Sequence, residues 1–135
     1  EKPIYVESES SKIGEIHLPR ALFKNLITSR AVVLSCDRSK RAQYLVRRYQ
    51  HLTQSIEDTK QLVERLAFRH GKQQITEWVS YINTHNWLAL ATSLLEHHYD
   101  PAYERSQTRL RVAEHCELKC PGELTDHSVF ERLDA

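Results

Sequence analysis

Residues 31–48 read AVVLSCDRSKRAQYLVRR, and their order decides the fold class. Ala31, Val32, Val33 and Leu34 form a continuous apolar run that ends in Ser35 and Cys36, the pattern of a strand covered on both faces. Asp37 then stands as a helix N-cap. From Arg38 to about Leu52 the apolar positions Leu45, Val46 and Tyr49 recur at helical spacing among basic residues. A similar pair of elements precedes it. Residues 3–7 (PIYVE) are short and β-rich, with a proline tolerable only at a strand start. A polar loop runs from there to about Leu18. Pro19 then opens a helix carrying Leu22, Phe23, Leu26 and Ile27. Strand, helix, strand, helix predicts parallel α/β winding.

From Ser55 the chain reads as helices alone. Ser55 with Asp58 has the form of a capping box, and Gly71 that of a C-terminal stop. Ile75, Trp78, Val79 and Ile82 mark the next helix, and Asn86 caps one containing Leu88, Leu90, Ala91, Leu94 and Leu95. Asp100-Pro101 reads as a cap followed by a first-turn proline, opening a helix to about Arg111. In the tail, 117–119 is a candidate strand, 121–122 a turn and 128–133 a short helix. The expected division is therefore an α/β part over 1–54 and a helical region over 55–135. Two parallel strands do not make a stable sheet alone, so further strands are expected from upstream or from another chain.

The 135 residues are enough to bury one core. Nineteen Lys+Arg stand against 18 Asp+Glu, so bulk charge names no partner. No stretch approaches the ~20 apolar residues of a membrane span, and the chain contains no methionine. Both that and the missing sheet partners lead us to expect a piece of a longer, cytoplasmic protein. The three cysteines, Cys36, Cys116 and Cys120, are expected to be reduced thiols. The C-x3-C spacing of the last two, with His115 and His127 nearby, is too loose for a zinc pattern, and no metal site is expected.

Three constellations carry chemistry. The first is the acid-hydroxyl loop with Glu7, Glu9, Ser10, Lys12 and Gly14, placed where open α/β sheets bind ligands, at the carboxyl end of a strand. Its carboxylates suit a cation and Ser10 and Lys12 a phosphate; the plain alternative is a solvated, serine-capped turn. The second is the basic helix with Arg38, Lys40, Arg41, Arg47 and Arg48. It fits an RNA backbone, or one arginine reaching a ligand phosphate, or simply a solvated face. The third is the pair Tyr99 and Tyr103, four residues apart, which could stack bases or pack at a helix joint. There is no G-x-x-x-x-G-K-[ST] phosphate loop and no G-x-S-x-G elbow. Three glycines cannot cradle a triphosphate by backbone alone.

Together the motifs resemble a known family. IYVESESSKIGEIHLPRALF is similar to the vwvEdESrkIGxxhLPxxL segment of the tRNA 2-selenouridine synthases. VVLSCDRSKRAQYLVRRY resembles the strand and helix that follow there, with Arg41 on the family's recurrent Arg and Tyr49 on its Tyr. LLEHHYDPAYERS resembles LLeeYYDPxYrxs near the family's C-terminus. The three motifs fall in the family's order, from residue 3 to about 106. Ser11 departs from the arginine of the family motif. The resemblance implies the C-terminal part of a P-loop domain with a partial parallel sheet, followed by a mainly helical region. It implies an enzyme that replaces sulfur by selenium in wobble 2-thiouridine of tRNA, through an S-geranyl intermediate. Selenophosphate and geranyl diphosphate would be substrates of the complete enzyme, with no cofactor held by this segment. Partners would be tRNA and upstream rhodanese and phosphate-loop regions, in the same chain or a separate subunit, with no membrane. Ligand-site candidates are Glu7, Glu9, Ser10, Lys12, Gly14 and Arg41; tRNA-binding candidates are Arg38, Lys40, Arg47, Arg48, Tyr99 and Tyr103. No catalytic residue is assigned. The alternatives are a noncatalytic tRNA- or partner-binding subunit of a split enzyme, and a nucleotide-kinase-like P-loop fragment.

Overall fold

The computed structural model of the chain describes residues 4–6, 10–110 and 115–120. The chain divides into two compact units, Glu1–Ser35 with Pro101–Lys119, and Cys36–Asp100 with Cys120–Ala135.

In the first unit, β1 (Lys12–Ile13) and β2 (Ile16–His17) form an antiparallel hairpin, Lys12 opposite His17 and Ile13 opposite Ile16. Gly14 takes a φ of +59° at its turn, the left-handed value that a two-residue hairpin loop needs and that glycine adopts without strain. The hairpin lies inside the expected loop, and its strands are too short for any alternation to announce them. α1 (Arg20–Thr28) follows, with Pro19 at the N-cap rather than inside the first turn. β3 (Ala31–Ser35) pairs in parallel with β4 (His115–Lys119), in register from Ala31 opposite His115 to Ser35 opposite Lys119.

The fold is thus α/β, mainly helical, with a small two-stranded parallel sheet. Two expectations are corrected. Residues 4–6 join no ladder and are exposed, so the strand expected near 3–7 is not formed there; Pro3 and Glu7 lie outside the described residues. Strand propensity is realised only where the backbone finds a ladder partner, and the partner of β3 is β4. Nor is β3 covered on both faces: Val32 and Leu34 are exposed while Ala31, Val33 and Ser35 are half-buried.

The second unit is helical: α2 (Arg38–Arg48), α3 (Ile56–Glu64), α4 (Lys72–Asn83) and α5 (Trp87–Leu94). α2 ends earlier than expected, and a 3-10 turn, Gln50–Gln54, takes over. The Ser55 hydroxyl accepts the Asp58 N–H at 3.2 Å, and the Asn86 side-chain oxygen accepts the Ala89 N–H at 3.2 Å. Both satisfy donors that a helix start leaves orphaned. Asp37 caps nothing with its side chain; its carboxylate lies 3.8 Å from the Lys40 ammonium.

Gly71 is not a helix stop. It is the N-cap of α4, in extended backbone, because a second 3-10 turn, Arg65–Phe68, has already ended the preceding helix. A left-handed terminator does follow α4, at His85, φ 56°. Its N–H donates to the Ile82 carbonyl and that of Asn86 to the Tyr81 carbonyl, the paired bonds of a Schellman ending. This turn lets α5 fold back on α4. The core is the result: Val63, Trp78, Ile82 and Leu90 are buried, with Ile56, Leu66, Ile75, Tyr81, Trp87 and Leu94 packed around them. The fully buried Trp78 ring places its N–H 2.8 Å from the Ser93 hydroxyl oxygen, which accepts it.

After α5 comes a wide π turn, Leu95–Tyr99, and then α6 (Asp100–Leu110). Pro101 lacks an N–H and crowds the carbonyl four residues back, which is His97. A widened turn at that point relieves the clash. Asp100 therefore has a helical turn before it and does not open a helix as a cap. Expected elements at 121–122 and 128–133 lie outside the described residues. Among those described, no helix is long and apolar enough to cross a membrane.

Candidate functional site

Glu7 and Glu9 lie outside the described residues. The other loop candidates sit on the β1–β2 hairpin. The exposed Ser10 hydroxyl accepts the Lys12 N–H at 3.0 Å, a local turn bond of the kind serine favours. The Lys12 ammonium stands 3.9 Å from the Glu15 carboxylate, and Gly14 makes the turn.

Arg41 has a different surrounding. Its guanidinium grips Asp100 with two parallel bonds, 2.7 and 2.8 Å, and Arg38 donates to the same carboxylate at 3.3 Å. Arg38 also lies 3.3 Å from Glu96. Two arginines one helical turn apart on α2 thus hold two acids of the π turn and α6. The fork holds the Asp100 carboxyl well below its ordinary range, with Arg38 adding to the effect. The same bond raises the Arg41 guanidinium further. Arg41 Nε is buried without a partner. Arg41 and Asp100 are 59 residues apart; the sequence marked both but offered no sign that they meet.

Of the remaining basic residues of α2, Arg47 and Arg48 are exposed and Lys40 is half-buried. Lys40 and Arg47, seven apart, share one side of the helix, and Lys40 is near Asp37. Tyr99 and Tyr103 are 57% and 51% exposed, so neither is packed into a core.

One constellation was not anticipated. A His70 ring nitrogen lies 2.9 Å from one of His98, with the rings edge to face. His70 also meets the Trp78 ring edge-on at 4.8 Å, and His98 meets Tyr99 at 4.9 Å. Burial pushes both imidazoles below their ordinary value; next come His97 for His70 and His70 for His98, with Arg69 acting on both. A pairing of two histidines 28 residues apart leaves no periodic signal.

This pair gives a pH dependence. Lowered folded values mean that the unfolded chain takes up protons first, near its ordinary ~6.5. Stability is then full above that value and falls as pH drops below it toward the folded values. Thermal melts should be level above about pH 7.5 and decline below about pH 6.5, and His98→Gln should flatten the decline. A decline of equal size in that variant would remove the pair as its source.

Cys36, Cys116 and Cys120 are free thiols. Burial, then the adjacent Cys120 thiol, push the Cys36 thiol up, so it is protonated and a poor nucleophile at neutral pH.

The chain is a mainly helical α/β protein with arginines and tyrosines exposed on its surface. The comparisons make the class specific: the family model of the tRNA 2-selenouridine synthase AAA domain matches residues 1–83. That is more than half of the chain, which therefore belongs to this tRNA-modification family. No curated protein and no solved structure matches it.

Proposed function

We propose that the chain is the C-terminal part of a transferase that replaces sulfur by selenium in the wobble 2-thiouridine of tRNA. The 2-thio sulfur takes the geranyl group as the C–O bond of geranyl diphosphate breaks and diphosphate leaves. Selenium from selenophosphate then bonds to C2 as the C–S bond breaks and geranylthiol leaves. The P–Se bond is hydrolysed to release phosphate. The observation that carries this reading is the family match over residues 1–83. The phosphate-loop and rhodanese regions act with this segment, in the same chain or beside it. In this reading the loop with Glu7, Glu9, Ser10, Lys12 and Gly14 forms one wall of the ligand site. Arg41, engaged by Asp100 on both guanidinium nitrogens, braces α2 against Asp100 rather than gripping a phosphate. Arg47 and Arg48, exposed at the end of α2, meet the tRNA backbone.

The test is direct. The complete protein, given 2-thiouridine tRNA, geranyl diphosphate and selenophosphate, yields S-geranyl and seleno nucleosides on digestion and mass analysis. Neither product would end the reading. In the same protein, reversing Arg47 and Arg48 to Glu should weaken tRNA binding ~tenfold or more at low salt and reduce the salt slope, because fewer counterions are released. An unchanged slope would return this helix end to an ordinary solvated surface.

A further inference from the structure

The second unit carries a strip of planar groups that neither the fold nor the family match uses. It begins at Phe68, which closes the 3-10 turn Arg65–Phe68 and keeps its ring 77% exposed. The Arg69 guanidinium lies over that ring, 5.2 Å from its centroid. From Arg69 the chain passes to His70, whose ring bonds to His98, and His98 stands edge-on to the exposed Tyr99. In the chain Arg69 stands between Phe68 and His70, with its guanidinium on the Phe68 side.

The nearby acids are turned elsewhere. Glu96, on the same π turn as His98, faces Arg38 at 3.3 Å. Glu77 accepts from the Tyr81 hydroxyl and the Gln74 amide. What remains is two exposed aromatic rings, Phe68 under a guanidinium and Tyr99 against a half-buried histidine pair. An apolar ring in water gains by being covered, and a cation beside it selects a covering group that is flat and linked to an anion. A nucleobase on its phosphodiester has that chemistry. Rings with interleaved arginine are how proteins hold unpaired nucleotides, whose bases are free to stack.

We propose that Phe68, Arg69 and Tyr99 form a stacking strip for unpaired nucleotides of the RNA substrate. The two rings take the base faces, Arg69 takes a phosphate, and the His70–His98 pair, backed by Trp78, holds Tyr99 in place. This rests on the tRNA reading above and adds to it the part of the RNA that is held. Phe68 and Tyr99 lie outside the packed core, so their alanine variants should keep the fold, with circular dichroism as the check.

The experiment uses the complete protein and an anticodon stem-loop RNA carrying 2-aminopurine in its loop. Stacking quenches the fluorophore on binding. Phe68→Ala and Tyr99→Ala should each weaken binding roughly 5- to 100-fold and reduce the quench at saturation, with the salt slope unchanged because no phosphate contact is lost. Arg69→Ala should instead lower the slope by about one phosphate contact. Intact affinity and quench in both ring variants, with RNA still bound by the parent protein, overturn the strip and leave the tRNA reading standing. An RNA affinity unchanged by Phe68→Ala together with lost self-association would assign the ring to a protein contact and equally overturn it. No binding of the stem-loop or of whole tRNA by the parent protein overturns both.

Discussion

Trp78→Ala should cost about 3–5 kcal/mol of stability, the range for emptying an aromatic site in a packed core. The ring is fully buried and contacts come from every side: Val63 on α3, Ile82 on its own helix and Leu90 on α5 share its cluster. Small domains have only about 5–15 kcal/mol in total, so the variant should unfold within a few degrees of working temperature, if it folds at all. Ser93→Ala offers a milder check. It leaves the indole N–H, which donates to Ser93 at 2.8 Å, buried without an acceptor, a loss of about 1–3 kcal/mol. Urea unfolding followed by circular dichroism measures both. A loss under about 1 kcal/mol for Trp78→Ala, typical of a surface change, would mean that α3, α4 and α5 do not pack on this ring.

The second large effect belongs to Asp100. Asp100→Ala should destabilise by about 2 kcal/mol, within the range for hydrogen bonds to charged groups. Exposed ion pairs contribute at most ~1 kcal/mol, but this carboxylate is only 19% exposed and accepts a two-pronged guanidinium at 2.7 and 2.8 Å. Such forks are among the stronger polar contacts. Removing Asp100 also leaves Arg41 without its carboxylate beside Arg38, which keeps Glu96 at 3.3 Å. A double-mutant cycle with Arg41→Ala isolates the pair; coupling indistinguishable from zero would reduce it to an ordinary surface ion pair. The pH sign follows from the same fork. A folded value held below the ordinary ~3.9 means that the pair's contribution is present above that pH and is lost as acid carries the group through its folded value. This acid step lies below the histidine step and should vanish in Asp100→Asn.

What the sequence determined alone was whatever is written locally. Ser55 and Asn86 were legible as caps because a cap is a bond to a donor three residues on. Trp78, Ile82 and Leu90 were legible as an inward face because a helix repeats its face every three or four residues. The family was legible because its motifs are contiguous, and the match over residues 1–83 bears it out. The tertiary structure decided everything that depends on distant chain segments. The partner of β3 is β4 near the other end of the chain, and residues 4–6, with an equally β-rich composition, form no strand. Arg41 was marked as a ligand-site candidate, and only the fold shows its guanidinium already filled by Asp100. Gly71, expected to stop the helix from Ser55, is instead the N-cap of α4, because the 3-10 turn Arg65–Phe68 has already ended that helix. Spacing records what a residue does to its near neighbours; a ladder, an ion pair or a ring contact closed across a long loop is fixed by packing, and no local pattern encodes which distant group will arrive.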